Sequence, residues 1–117
     1  MIFRQLFDEE SSSYTYLLGC EQSREALLID PVLEQVDRDL SVLAEERLTL
    51  RYTLETHLHA DHITGAGELR RHTNSKIGLS AVYPATGMDL KLHNNEELTL
   101  GSLLIKIFDT PGHTSGC

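Results

Sequence analysis

Apolar residues near the start of the chain recur at every second position. Ile2 to Phe7 and Ser12 to Gly19 both read as strands, with Tyr14, Tyr16 and Leu18 alternating with Thr15 and Leu17, and the acidic turn Asp8-Glu9-Glu10 between them. Gly19 to Ser23 makes the next turn. Ala26-Leu27-Leu28-Ile29 is a continuous apolar run, as in a strand buried on both faces, and Asp30-Pro31 ends it because proline cannot continue the ladder. The pattern predicts a three-stranded meander.

From Leu33 to Arg47 the period changes. Val36, Leu40, Leu43 and Ala44 recur at three- and four-residue spacing, while Glu34, Asp37, Arg38, Asp39, Glu45 and Glu46 take the other side, which predicts an amphipathic helix lying on a sheet. A helix between Ile29 and a strand over Arg51 to Thr56 is the connection that two parallel strands need. A second helix is expected from His62 through Ile63, Ala66 and Leu69 to about Arg71. Gly65 and Gly67 weaken it by roughly 1 kcal/mol each, so both are expected to allow close packing. Lys76 to Ala81 reads as a strand, Tyr83 to Gly87 as a loop, and Glu97 to Leu100 as a short strand. Gly101-Ser102 forms a hairpin turn, after which Leu103, Ile105 and Ile107 share one face of a strand reaching Phe108. Without an internal repeat or linker, residues 1–117 read as one unit of α/β (α+β) class.

Composition narrows the function classes. A chain of 117 residues with 40% hydrophobic and 24% charged residues is ordinary for a soluble globular protein. A formal net charge of −8, with no basic run longer than Arg70-Arg71, argues against nucleic acid as a partner. Cys20 and Cys117 lack zinc-knuckle spacing and read as free thiols. The opening Met-Ile-Phe-Arg-Gln carries no apolar signal segment and no run reaches membrane-span length, so no membrane partner is expected and cytoplasm is the default compartment.

Candidate chemistry concentrates in Thr56-His57-Leu58-His59-Ala60-Asp61-His62, between a strand and a helix. His57 and His59 are two apart and, in extended chain, point to one side, so one ion can take both. Asp61 and His62 come after the turn and can hold a second metal or support the first through hydrogen bonds. A histidine-rich surface turn is the competing reading, but four ligand-type residues in so short a stretch favour metal. His113 follows a strand and the turn Thr110-Pro111-Gly112, a context like that of His57. Alone it would be a surface histidine; beside the first motif it becomes the ligand from elsewhere that closes a site. His72 and His93 lack a partner pattern and read as solvated. Asp30, ending a buried strand, needs hydrogen bonds or a cation, or else forms an Asx turn with Pro31.

These residues resemble a known family. HxHxDH followed by Ile63-Thr64-Gly65 resembles the signature of the metallo-β-lactamase superfamily, and THLHADHITGAGELR is similar to its persulfide (sulfur) dioxygenase branch, related to glyoxalase II. Leu28-Ile29-Asp30-Pro31, Thr110-Pro111-Gly112-His113-Thr114 and the strand-like opening match in the family's order. The resemblance implies the N-terminal half of an αββα sandwich, a mixed sheet flanked by helices. It also implies one Fe(II) per complete domain, held by His57, His113 and an aspartate further on, with three positions open for persulfide and O₂. His59, Asp61 and His62 would then act around the iron through waters and hydrogen bonds, and Asp30 would support the metal-binding turn. The implied reaction takes glutathione persulfide, O₂ and water to glutathione and sulfite. A homodimer is compatible with the resemblance.

Family domains run to about twice this length, with the third ligand and most glutathione contacts beyond the Gly-His-Thr. The chain therefore reads as a truncated piece, expected to bind iron weakly, to turn over little and to expose an apolar sheet face. The runner-up is a hydroxyacylglutathione thioester hydrolase of the glyoxalase II type, with a Zn(II) or mixed binuclear site. There His57, His59 and His113 hold one metal, and Asp61 and His62 the other. Ala60 and Ile63-Thr64-Gly65 favour the dioxygenase. A third reading, of another class, is a non-catalytic metal-binding or interaction fragment.

Overall fold

A computed structural model describes residues 1–10, 12–56, 65–80 and 89–107. Strands β1 (Ile2–Asp8), β2 (Ser13–Gly19) and β3 (Glu25–Ile29) form the expected antiparallel meander. A 3₁₀ turn (Leu33–Gln35) leads into helix α1 (Val36–Glu45), and β4 (Thr49–Leu54) returns parallel to β3. Helix α2 (Ala66–Thr73) then crosses to β5 (Lys76–Ser80), which is parallel to β4 and to β6 (Leu90–Leu92). The sheet order is β1-β2-β3-β4-β5-β6, and a separate hairpin joins β7 (Glu97–Leu100) to β8 (Leu103–Lys106). Gly101, at φ 60°, makes the hairpin turn where the sequence places it.

Two apolar clusters cover the two faces of this mixed sheet. Leu17, Leu28 and Leu50 pack under Val36, Leu43 and Leu69, so both helices lie on one face. Leu27, Leu54 and Leu92 pack with Leu100, Leu98, Leu103, Ile105 and Ile107, so the hairpin lies on the other. Consecutive Leu27 and Leu28 thus point into different clusters, which is what an uninterrupted apolar run accomplishes in a strand covered on both sides. Leu18 of β2 packs against this second cluster as well. Phe3, Phe7 and Tyr14 stay 54%, 46% and 45% exposed, in register with Leu18, Tyr14 and Phe7 respectively. Phe3 stacks on Tyr16 at 5.9 Å, Tyr16 on Tyr14 at 6.3 Å, and Phe7 tilts against Tyr14 at 5.0 Å.

Several expectations are corrected. The α-helix is shorter than Leu33 to Arg47 because the first turn winds as 3₁₀ and Arg47, at φ 55°, reverses the chain. Asp39 is fully buried, not on the polar side, because it lies on the stripe joining Val36 to Leu43, while Ala44 is exposed. β4 begins two residues early, at Thr49, since Thr49 and Leu50 pair with Glu25 and Ala26 before a register shift. β6 was not expected: only Leu90 and Leu92 mark it, too few for a period. The Tyr83 to Gly87 loop, Ala81, Phe108 and Cys117 lie outside the described residues. Cys20 is a buried free thiol, 3.5 Å from the Ser102 hydroxyl. No helix among the described residues is long and apolar enough to cross a membrane.

Candidate metal centre

Parallel β3 and β4 end side by side at Ile29 and Leu54, and the residues just past each strand end bond across to the other strand or its continuation. Asp30 takes φ 55°, a left-handed conformation that aspartate tolerates better than most residues. Its N–H donates to the Leu54 carbonyl at 2.8 Å, which extends the ladder by one bond. Its carboxylate then meets Thr56: Oδ1 accepts from the Thr56 N–H at 2.8 Å and Oδ2 from the Thr56 hydroxyl at 2.6 Å. Hydrogen bonds to an ionised carboxylate are the strong kind, and two from one residue fix its orientation. Asp30 therefore holds the chain at the residue directly before His57. On the other side of β4, Glu55 N–H donates to the Gly78 carbonyl of β5 at 3.0 Å.

The far end of the motif is tied to the next residue along. Gly65 N–H donates to the Pro31 carbonyl at 2.9 Å, and Leu69 N–H reaches the Gly65 carbonyl at 2.9 Å to begin α2. Position 65 needs a residue without a side chain, since a Cβ there would stand 2.9 Å from the Val32 oxygen and 3.1 Å from Val36 Cγ2. The expectation of close packing holds for Gly65 and fails for Gly67, where a Cβ would meet nothing within 4 Å. Asp30 and Pro31 thus receive Thr56 and Gly65, the residues on either side of the segment 57–64.

His57, His59, Asp61, His62 and His113, with the helix start at His62, lie outside the described residues. Among the described residues no group of three or more His, Cys, Asp or Glu could hold a metal. What is described is the frame around the motif, in which Asp30 is hydrogen-bonded to Thr56. His72 and His93 lie on exposed surface, His72 Nε2 standing 3.4 Å from Glu68. Sequence reasoning missed three contributors. Thr15, 1% exposed on β2, donates its hydroxyl to the Asp30 carbonyl at 2.9 Å. Thr56 supplies two donors to one carboxylate, and Glu55 is buried at 9% exposure although its side chain is polar. The signal for Thr15 was a polar residue on the inward side of an alternating strand.

A model of the Metallo-beta-lactamase superfamily matches residues 8–117. The chain is 41% identical over 117 residues to the mitochondrial persulfide dioxygenase ETHE1 of Mus musculus, covering 100% of itself and 46% of that protein. The Homo sapiens counterpart is 40% identical over the same span. A hydroxyacylglutathione hydrolase-like protein of Bos taurus is 35% identical over 104 residues, 89% of this chain and 53% of that protein. Among solved structures, ETHE1 from Myxococcus xanthus superposes with a TM-score of 0.93 at 52% identity, over 99% of this chain and 51% of the other. A metallo-beta-lactamase from Staphylococcus aureus gives 0.88 at 32% identity, over 99% and 36%. The chain spans about half the length of the curated relatives it matches.

Proposed function

The chain belongs to the metallo-beta-lactamase superfamily, and on that premise we propose that it forms part of a non-haem iron persulfide dioxygenase. The proposed reaction converts glutathione persulfide, O₂ and water to glutathione, sulfite and two protons. Its main support is the 40–52% identity to proteins named persulfide dioxygenase or ETHE1, against 35% for the hydrolase-like relative.

The donor set fits a single ferrous ion. Two imidazoles, from His57 and His113, would make the facial arrangement of iron oxygenases with the aspartate that the family resemblance implies further on, whereas thiolates would favour other metals. Ferrous iron would supply an open coordination sphere for sulfur and O₂. The described residues do the positioning. Asp30 fixes Thr56, and with it the direction in which the chain enters His57. Gly65, bonded to Pro31, fixes the first described residue after the motif. Orientation of ligands by such outer hydrogen bonds is worth about 10–100-fold in metal affinity or activity.

The second reading, a two-metal hydrolase of glutathione thioesters, keeps its support in the 35% identity to the hydroxyacylglutathione hydrolase-like protein. There His59, Asp61 and His62 bind metal directly and a hydroxide attacks the thioester carbonyl. The test uses a polypeptide carrying this chain at its relatives' full length. The dioxygenase gives about one iron per domain and O₂ uptake with glutathione persulfide, matched by sulfite release. Two metals per domain with cleavage of S-lactoylglutathione, and no O₂ uptake, would replace it with the hydrolase.

A further inference from the structure

We infer that Thr15 is a positioning residue for the candidate metal motif, acting through the Asp30 carbonyl to set Thr56 and Gly65, the described residues that flank the segment 57–64. The inference depends on the proposed function only for its consequence on metal binding; the clamp itself lies in described hydrogen bonds.

The peptide group joining Asp30 to Pro31 carries no N–H, because Pro31 has none. Its single hydrogen-bonding group is the Asp30 carbonyl, which therefore offers the one polar handle by which that peptide plane can be held. The β2–β3 register pairs Tyr16 with Ile29, so Thr15 stands opposite Asp30, one step past the last ladder pair. The left-handed turn at Asp30, φ 55°, ends the regular pairing there, and the Thr15 hydroxyl takes the carbonyl instead, at 2.9 Å. Thr15 is 1% exposed, so water does not compete for that bond. Its branched side chain has few rotamers, which keeps the hydroxyl aimed.

Holding this plane has effects in two directions. Behind it, the plane sets the rotation of Asp30, whose carboxylate receives the Thr56 N–H and hydroxyl at 2.8 and 2.6 Å. Ahead of it, the plane sets Pro31, whose carbonyl receives the Gly65 N–H at 2.9 Å. One hydroxyl on a neighbouring strand thereby governs the placement of Thr56 and Gly65, on either side of the candidate motif.

The test compares Thr15→Val, which keeps the shape and removes the donor, with Thr15→Ser, which keeps the donor. Amide hydrogen exchange is read at Thr56 and Gly65, with Leu28 in β3 as the reference, and Fe²⁺ affinity is titrated anaerobically, both in polypeptides carrying this chain at its relatives' full length. In Thr15→Val, exchange at Thr56 and Gly65 rises by at least about tenfold while Leu28 is unchanged, and Fe²⁺ affinity falls by about 10–100-fold; Thr15→Ser stays near the parent. The inference is overturned if Thr56 and Gly65 do not change, if they change only in step with Leu28, or if Thr15→Ser behaves like Thr15→Val. Should the exchange pattern hold while the parent binds no Fe²⁺, the clamp stands and the iron assignment falls.

Discussion

Gly65 lies against Val32 more closely than any side chain would permit: the place of a Cβ at position 65 is 2.9 Å from the Val32 carbonyl oxygen. The contact is with backbone on both sides, so neither partner can rotate out of the way. Gly65→Ala is expected to cost about 1–3 kcal/mol through overpacking and to loosen the bond from Gly65 N–H to Pro31. Gly67→Ala, inside α2 with open space around it, is expected to stabilise by up to about 1 kcal/mol. Thermal unfolding of the two variants side by side checks the contrast, and equal effects would contradict it.

The left-handed backbone and the carboxylate at position 30 can be separated by three substitutions. Asp30→Gly adopts φ 55° without strain but loses both Thr56 bonds; Asp30→Ala loses the bonds and keeps the strain; Asp30→Asn retains most of both. Stability should therefore fall in the order Asn, Gly, Ala, with Gly and Ala about 1–2 kcal/mol apart. Metal affinity should drop by about 10–100-fold in both Gly and Ala, whatever their stabilities. Denaturant midpoints and a metal titration give the two orders independently.

A pH dependence arises from Asp39. Arg38 donates to Asp39 Oδ1 through Nη2 at 3.0 Å and Nε at 3.2 Å, while the buried Oδ2 has no hydrogen-bond partner among the described residues. Burial of the carboxylate outweighs the nearby guanidinium and pushes its pKa up to about 6 from an ordinary 3.8. The folded state thus holds the proton more tightly than the unfolded one. Its contribution is fully present below pH 4 and is lost as pH rises through about 6, on the order of 2–3 kcal/mol in all. Asp39→Asn should flatten this part of the stability profile between about pH 4 and 6. Urea unfolding across that range measures it, and an unchanged slope in the variant would remove Asp39 as the cause.

Phe3, Phe7, Tyr14 and Tyr16 leave an aromatic stripe on the sheet face that the hairpin covers only further along. The 117-residue chain by itself should therefore bind a hydrophobic dye such as anilinonaphthalene sulfonate while retaining near-ultraviolet circular dichroism. Phe3→Ser with Phe7→Ser should reduce the dye signal at least about twofold and raise solubility. Dye binding that survives the pair would place the exposed apolar surface elsewhere.

Much of the frame was legible because local pattern and final environment agree. Leu27-Leu28 reads as a strand covered on both sides and is one; Gly101-Ser102 reads as a turn and makes one. Asp39 was misread because charge argues for solvent, while its place between Val36 and Leu43 puts it inside whatever it carries. β6 was invisible because a strand held by its partner needs few residues of its own. Of the site, Asp30 was legible as a carboxylate in need of donors. Thr15 was not, since a threonine in a strand has many bland uses and its partner was set by a turn conformation that no residue pattern announces.

The adjoining seats of Thr56 and Gly65 on Asp30 and Pro31 have a consequence for how such a protein can change. A segment that departs from and returns to neighbouring residues behaves as a cassette: its contents can be exchanged without shifting the strands that carry it. A different set of donor side chains grafted between 56 and 65 would inherit the same two footings, so new chemistry could be acquired there while the scaffold stays in register.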